Sequence, residues 1–251
     1  MAQAWIGTSG WSYKHWEGRF YPDKVLGTRQ LPFLAEHFRT VEINYSYYQL
    51  PTRKVFEGWR ARSPDGFVFA VKASRYLTHM RKLREPEEPL QRLLERAGGL
   101  EEKLGPILFQ FPRTWDRDLE RLASFFEALQ AHPGHRYTFE FRHDSWLCPE
   151  VYSLLKQHNA ALCLPIGWGV PLDVQVPADW TYIRFHAGEH GIGFSDAELR
   201  PWADRIRGYL AQGIDSYVYF NNDQIENDQP QAILNAKRLL DMLDTAGERD
   251  G

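Results

Sequence analysis

The sequence has very little cysteine, with only Cys148 and Cys163 among 251 residues. Their separation does not match the paired spacing of a zinc or iron–sulfur site. We therefore expect two incidental thiols in a reduced, cytoplasmic protein, and no metal bound through cysteine. Residues 1–6 lack the basic segment and long apolar stretch of a secretory signal, so none is predicted.

Long hydrophobic runs and a charge excess are also missing. No stretch reaches the roughly 20 apolar residues that a transmembrane helix needs, so we predict no membrane partner. The net charge of −3 gives no overall attraction to nucleic acid or anionic lipid. A local basic pocket is still compatible with that balance. What the chain does have is 43% hydrophobic and 25% charged residues, which is typical of an ordinary globular protein.

Eight short apolar runs divide the chain, and most of them end in a charged or amide residue. The runs are 4–8, 40–44, 67–72, 107–110, 137–142, 160–164, 181–186 and 216–222. Eight strand–helix units in about 250 residues predict a TIM-type (β/α)8 barrel with parallel strands. No interior linker marks a boundary, so we predict one domain over residues 1–251.

Helical patterns separate most of the predicted strands. They cover about 31–38, 51–62, 90–97, 118–131, 149–157, 196–211 and 230–243. The segment 75–89 contains two prolines and predicts an extended loop over the barrel mouth. The segment 165–180, with its glycines and prolines, predicts an irregular connection without a helix between strands six and seven.

Polar residues share one face at the carboxyl-terminal ends of the predicted strands. Side chains alternate along a strand, so Glu42 and Asn44 share a face, as do Glu140 and Arg142. Inward residues at these ends open into the mouth of a TIM barrel, where active sites lie. The same alternation also selects Lys72, Gln110, Arg184, His186 and Asn221.

Five of these side chains are charged: Lys72, Arg142 and Arg184 against Glu42 and Glu140. An isolated buried charge is costly, so each must pair or meet a ligand. One interpretation is an internal ion-pair network, Lys72 with Glu42 or Arg142 with Glu140, that only closes the barrel. The other is a pocket for an anionic or polyhydroxylated ligand, and the one cation left over favours phosphate or carboxylate.

Loop residues extend the candidate site. Trp11 and Tyr13 follow the first strand, and His79 follows the third, so all three are candidates for ligand binding. A single histidine is more often a surface or packing residue. His186 differs because it shares a strand face with Arg184 and stands at the strand end.

The motifs at these strand ends are similar to those of a known family. They are 6–13 (IGTSGWSY), 20–22 (FYP), 41–44 (VEIN), 69–72 (FAVK), 78–79 (TH), 108–112 (LFQFP), 140–146 (EFRHDSW), 182–186 (YIRFH) and 219–222 (YFNN). Together they resemble the YecE-like family, the domain of unknown function 72, nearly from end to end. The resemblance implies a TIM-type barrel and no established reaction. The run 45–48 (YSYY) and Ala187 depart from the family pattern beside the expected mouth.

The leading hypothesis is an enzyme that acts on a small phosphorylated or sugar-like molecule by acid–base or phosphate-ester chemistry. Arg142 and Arg184 would clamp the anion, while Glu140 or His186 would exchange protons. Lys72 could instead form a Schiff base. The catalytic candidates are Glu42, Lys72, Glu140 and His186. The ligand-binding candidates are Trp11, Tyr13, Asn44, His79, Gln110, Arg142, Arg184 and Asn221.

Two alternatives stay open. A metal-assisted hydrolase or nuclease would use Glu42, Glu140, His186 and Asn221 as ligands, although the neighbouring cations would repel a metal ion. A non-enzymatic ligand- or nucleic-acid-binding module would stack its partner on the aromatic side chains of the loops, Trp11, Tyr13 and Trp146. The sequence identifies no cofactor, substrate or oligomeric state.

Overall fold

The computed structural model describes residues 1–167 and 169–244. Eight parallel strands close into a barrel in chain order, with β8 paired to β1. They are β1 (Ala4–Ser9), β2 (Thr40–Ile43), β3 (Val68–Lys72), β4 (Leu104–Gln110), β5 (Tyr137–Glu140), β6 (Ala161–Ile166), β7 (Trp180–Phe185) and β8 (Asp215–Phe220). The predicted (β/α)8 barrel is confirmed. A short hairpin, β9 (Ile225–Glu226) and β10 (Gln229–Pro230), follows the last barrel strand.

The helices surround the barrel. They are α1 (Gln30–Ala35), α2 (Tyr45–Tyr48), α3 (Arg53–Ala61), α4 (Glu87–Ala97), α5 (Leu119–Gln130), α6 (Pro149–Gln157), α7 (Asp196–Ala211) and α8 (Gln231–Asp244). Every predicted helix is present, and α6 and α7 have the predicted bounds. The Ser195 side chain fixes the start of α7 through a capping box with Glu198. Among the described residues, no helix is both long enough and apolar enough to cross a membrane.

The segment 75–89 is less extended than predicted, because Tyr76–Met80 form a π-helical turn. Ser74 supports it: the Ser74 hydroxyl accepts the Leu77 amide at 3.4 Å, and the Ser74 carbonyl accepts the Thr78 hydroxyl at 3.1 Å. Such local side-chain bonds stabilise a turn that hydrophobic periodicity alone does not predict. The turn fixes the direction of His79.

The connection between β6 and β7 has no helix in its described residues, 167 and 169–179, as predicted. Gly167 lies there at φ +148, a conformation that side chains rarely adopt. A Cβ on Gly167 would stand 3.0 Å from the Ala187 amide nitrogen and 3.1 Å from the His186 Cβ. Gly167 therefore lets the chain pass closely behind the end of β7.

The two faces of the strands pack differently, as the alternation predicted. Outward side chains meet the helices, for example Phe109, whose ring contacts Phe125 of α5 edge-on at 4.9 Å. Inward side chains fill the lower barrel, and each buried aromatic there contributes about 1.5–3 kcal/mol. This inner cluster contains Ala70, Leu108, Ala161, Cys163, Ala178, Trp180, Tyr182, Tyr217 and Tyr219. A charged layer lies at the strand ends above it.

Some strand bounds differ from the prediction. β4 begins at Leu104 rather than residue 107, and β5, β7 and β8 end earlier than the apolar runs suggested. As a result Arg142, His186 and Asn221 lie in the loops just after their strands. Loop residues there can face the mouth rather than the barrel interior.

Candidate functional site

Arg184 of β7 lies at the centre of the charged layer and is fully buried. Its Nε and Nη2 donate to the two carboxylate oxygens of Glu42 at 3.0 and 2.9 Å. Its Nη1 donates to Glu140 at 2.6 Å. The planar guanidinium can satisfy both carboxylates because its donors point in fixed, divergent directions. One cation from β7 therefore joins β2 and β5 across the barrel.

The Glu42 carboxylate has further partners. The Tyr182 hydroxyl donates to it at 2.6 Å, and the Ser9 hydroxyl donates to it as well. Ser9 is the direct neighbour of Glu42 in the parallel pairing of β1 and β2. Glu42 is fully buried and does not line the cavity that its neighbours surround. The prediction of Glu42 as a catalytic residue is therefore not supported by its position.

The Glu140 carboxylate is equally buried and equally occupied. Besides Arg184, it accepts the Gln110 amide at 2.8 Å and the Arg142 Nε. Burial alone raises the pKa of Glu140, but the Arg184 and Arg142 cations outweigh it and hold the pKa well below its usual range. Glu140 is therefore an anion at neutral pH, which argues against the predicted proton transfer.

Lys72 at the end of β3 has no carboxylate partner among the described residues. The ion pair of Lys72 with Glu42, considered from the sequence, does not form, since Arg184 takes that carboxylate. Among the described residues, the Lys72 ammonium has no hydrogen bond and lies 4.4 Å above the Tyr47 ring. The other buried lysine, Lys103, donates to two backbone carbonyls and a hydroxyl at 2.7–3.1 Å. Burial and the nearby Arg184 lower the pKa of Lys72 to about 8.

His186 follows β7 and is held by two neighbours. Its Nε2 lies 3.1 Å from an Arg142 guanidinium nitrogen, and its Nδ1 lies 3.1 Å from the Asn221 amide nitrogen. Because Arg142 and the Asn221 amide nitrogen can only donate, at least one ring nitrogen must accept, which requires an unprotonated nitrogen. Burial, followed by the Arg184 cation, lowers the pKa of His186 to about 3. The imidazole is therefore neutral at pH 7.

These side chains surround a cavity of about 480 Å³ at the carboxyl-terminal mouth. It is lined by Lys72, His79, Gln110, Phe111, Pro112, Arg113, Arg142, Arg184, His186 and Asn221. Seven of the residues predicted from the sequence thus meet at one place. Arg184 lies in the floor of the cavity, where its side chain is fully buried and donates to Glu42 and Glu140. Its contact with a ligand stays a prediction.

The remaining predicted binding residues lie beside a second cavity of about 540 Å³, with Trp59 and Tyr48 in its wall. Trp11 packs edge-on against Trp59, and the Tyr13 hydroxyl donates to the Ser9 carbonyl at 2.6 Å. Asn44 lies between the two cavities, because its amide donates to Asn221 at 3.1 Å. Trp11 and Tyr13 therefore do not reach the charged cavity.

Comparison with known proteins identifies the family. Residues 5–250 match the sequence model of DUF72, described as a protein of unknown function. The chain belongs to the DUF72 family. The YunF protein of Bacillus subtilis is 26% identical, and the match covers 96% of this chain and 94% of that protein. The YecE protein of Escherichia coli K12 is 32% identical, but over 55% of this chain and 48% of its own length.

Solved structures agree with this assignment. A DUF72 protein from Thermotoga maritima superposes with a TM-score of 0.81 at 27% identity, covering 96% of this chain and 99% of the other. A DUF72 protein from Enterococcus faecalis gives a TM-score of 0.77 at 20% identity, covering 96% of each chain. The sequence-based recognition of the family is confirmed, and the relatives carry no assigned reaction.

Some residues of this DUF72 site were not predicted. Ser9 reaches Glu42 through the β1–β2 register, which the sequence does not reveal. Tyr47 contacts Lys72 because α2 follows β2 directly, and no periodic signal marks so short a helix.

Trp146 is fully buried and donates its indole N–H to the Trp115 carbonyl at 2.6 Å. It therefore cannot act as the stacking surface considered for a nucleic-acid-binding module.

The donor set does not favour the metal alternative. The carboxylate oxygens of Glu42 and Glu140 already accept hydrogen bonds from Arg184, Arg142 and neutral donors, so they are not free to bind a metal ion. Among residues 1–167 and 169–244, no three His, Cys, Asp or Glu side chains are grouped closely enough to hold a metal ion. The arrangement is built around cations, so it suits an anion better.

The lowered pKa of His186 predicts a pH dependence of stability. An unfolded histidine takes up a proton near pH 6.5, whereas folded His186 stays neutral until about pH 3. The unfolded state binds more protons in this window, so the free energy of unfolding falls as the pH drops through it. We expect His186 to contribute about 1 kcal/mol of this loss between pH 7 and pH 5.5.

Urea denaturation of the wild type and of His186→Gln at both pH values measures this contribution. The exposed His190, replaced in the same way, is the matched control and should leave the pH dependence unchanged. A His186→Gln variant with the full wild-type pH dependence would contradict the assignment of a neutral, buried imidazole.

Proposed function

We propose that this DUF72 protein is an enzyme that binds a small anionic ligand, phosphorylated or sugar-like, in the 480 Å³ cavity at the barrel mouth. The observation that carries the proposal is the Lys72 ammonium. It is 8% exposed, faces the cavity, and among the described residues has no anionic partner. Burying a cation without an anionic partner destabilises the fold unless a bound anion compensates its charge.

The charge balance of the site supports an anion. The carboxylates Glu42 and Glu140 are matched by Arg184 and Arg142, so Lys72 is the cation in excess. His186 adds no charge at neutral pH. Each charge-assisted hydrogen bond from Lys72 or Arg142 to phosphate would contribute about 1.5–3 kcal/mol.

Neutral polar groups complete the cavity wall. Gln110 and Asn221 present amides there, which suit the hydroxyl groups of a sugar-like ligand. His79 is a neutral imidazole and can accept a proton from such a ligand, whereas the lone pair of His186 already accepts a hydrogen bond from its neighbours. We therefore assign the acid–base chemistry to His79 and not to Glu42 or Glu140, which are fully buried and do not line the cavity.

Calorimetric titration with ribose 5-phosphate, inorganic phosphate and ribose tests the proposal. We expect ribose 5-phosphate to bind at least about tenfold more tightly than ribose, since only the former engages the cations. NMR signals of the His79 and His186 rings, assigned with His79→Gln and His186→Gln, should shift on adding phosphate. Equal binding of ribose, or phosphate that leaves both rings unaffected, would refute the anion site.

A further inference from the structure

The side chains of Lys72 and His79 both contact the ring of Tyr47. The Lys72 Nζ lies 4.4 Å above the ring centroid, and the His79 ring packs against the same ring at 5.2 Å with an interplanar angle of 80°. Both side chains line the charged cavity. An amine without a hydrogen bond among the described residues and an imidazole thus contact the same ring and line the same cavity.

Hydrogen bonds define which nitrogen of His79 can act as a base. The Thr78 hydroxyl donates its one proton to the Ser74 carbonyl at 3.1 Å. It must therefore accept from His79 Nδ1, which lies 2.9 Å away. The proton of the neutral imidazole is then on Nδ1, and Nε2 keeps a free lone pair. Burial, followed by the Lys72 cation, lowers the pKa of His79 to about 4, so this form dominates at pH 7.

We propose that the ligand of this site carries a carbonyl group, and that Lys72 captures it as an imine while His79 transfers the protons. This inference rests on the proposed function, because Arg142 and Arg113 would hold the anionic part of the same ligand. It names the substrate class more closely: a small phosphorylated or carboxylated aldehyde or ketone.

The chemistry balances without an external reactant. The neutral Lys72 amine attacks the carbonyl carbon, a C–N bond forms, and the carbonyl π electrons move to oxygen. His79 Nε2 takes one proton from nitrogen and returns it to that oxygen, which gives a carbinolamine. It then carries the second N–H proton to the hydroxyl group, which leaves as water as the nitrogen lone pair forms the C=N bond. Amine and carbonyl give imine and water, with no change of oxidation state. With the pKa of Lys72 at about 8, about a tenth of the amine is neutral at pH 7.

Pyridoxal 5′-phosphate is a suitable probe because it joins an aldehyde to a phosphate. The protein is mixed with less than one equivalent at pH 7.5, reduced with borohydride and digested, and the labelled lysine is located by mass spectrometry. We expect the label chiefly on Lys72. Pyridoxine 5′-phosphate, which has an alcohol in place of the aldehyde, should compete without leaving a label.

Variants of Lys72, Lys156 and His79 test which lysine forms the imine and whether His79 transfers the protons. Lys72→Met should lose the label at this position, and so should Lys72→Arg, which keeps the positive charge. Lys156→Met removes an exposed lysine of α6 and should label at Lys72 as the wild type does. His79→Gln should slow imine formation about tenfold or more while phosphate still binds.

The experiment distinguishes a failure of the imine proposal from a failure of the anion site. If phosphate and pyridoxine 5′-phosphate bind but the label is spread over exposed lysines, the imine is refuted and the anion site stands. If neither phosphate compound binds and Lys72 is not labelled preferentially, both proposals fall. Equal rates of labelling for wild type and His79→Gln would remove His79 from the mechanism.

Discussion

Replacing Arg184 by methionine is expected to lower the free energy of unfolding by about 3–5 kcal/mol. The guanidinium is fully buried and donates to both Glu42 and Glu140, which are themselves fully buried. Methionine fills much of the volume but leaves two carboxylates without this cation. The penalty comes from that uncompensated charge, and urea denaturation at pH 7 measures it.

A surface ion pair is the matched control for this prediction. Arg92 pairs with Glu88 one helical turn away, and both side chains are more than half exposed. Arg92→Met should cost about 0.5 kcal/mol or less, because water solvates the remaining carboxylate. An Arg184→Met variant no less stable than Arg92→Met would show that the buried network does not stabilise the fold.

A second control tests the electrostatic origin. Combining Arg184→Met with Glu42→Gln and Glu140→Gln removes the buried charges together and should recover much of the lost stability. Protonation of the two carboxylates at low pH should have an effect similar to that of the two Gln substitutions. The lowered pKa of Glu140 means that its contribution in the wild type is present above about pH 4.5 and is lost as the pH falls. The gap between wild type and Arg184→Met should therefore narrow on acidification.

Much of the fold could be predicted from the sequence because two periodicities alternate along it. Apolar runs ending in polar residues mark β2, β5 and β7, and the pattern of α5 and α7 marks amphipathic helices. The same alternation correctly placed Lys72, Gln110 and His186 around one cavity. A strand side chain has only two faces, so one correct strand assignment fixes where its polar residue points.

The partners within the site could not be predicted in the same way. Which carboxylate pairs with Arg184 depends on the distances across the barrel, and Lys72 was an equally reasonable partner of Glu42 by residue type. The sequence also does not show how deep in the barrel each side chain lies. Glu42 and Glu140 lie below the floor of the cavity, whereas His186 lines it. Depth depends on strand stagger, which is a property of the closed barrel and not of any one strand.

The loops were predicted least well, for a physical reason. Aromatic residues such as Trp11 and Trp146 are equally suited to packing and to stacking on a ligand, and their type does not decide between the two. In the structure Trp146 is enclosed by Phe111, Trp115 and Phe141. The turn that positions His79 depends on two hydrogen bonds that Ser74 accepts, and these leave no periodic signal in the sequence.

Replacing Lys72 by methionine is expected to weaken the binding of inorganic phosphate by about 10- to 100-fold. The substitution preserves most of the side-chain volume and removes the cation in excess over the two buried carboxylates. The cavity then loses the buried positive charge that Glu42 and Glu140 do not balance, so the attraction that compensates the desolvation of phosphate becomes weaker. Titration calorimetry at pH 7 and low ionic strength measures the change, since salt screens such interactions.

Two companion variants make this result specific to the site. Lys72→Arg keeps the charge and should retain phosphate binding within a few-fold, although it cannot form an imine. Lys156→Met removes one exposed positive charge from α6 and should leave the phosphate affinity unchanged. If Lys72→Met and Lys156→Met bind phosphate equally well, the anion does not contact Lys72, and the role proposed for Lys72 in anion binding is refuted. Because Arg184 and Arg142 remain paired in every one of these variants, a change in affinity reports the charge of Lys72 and not a collapse of the network beneath it.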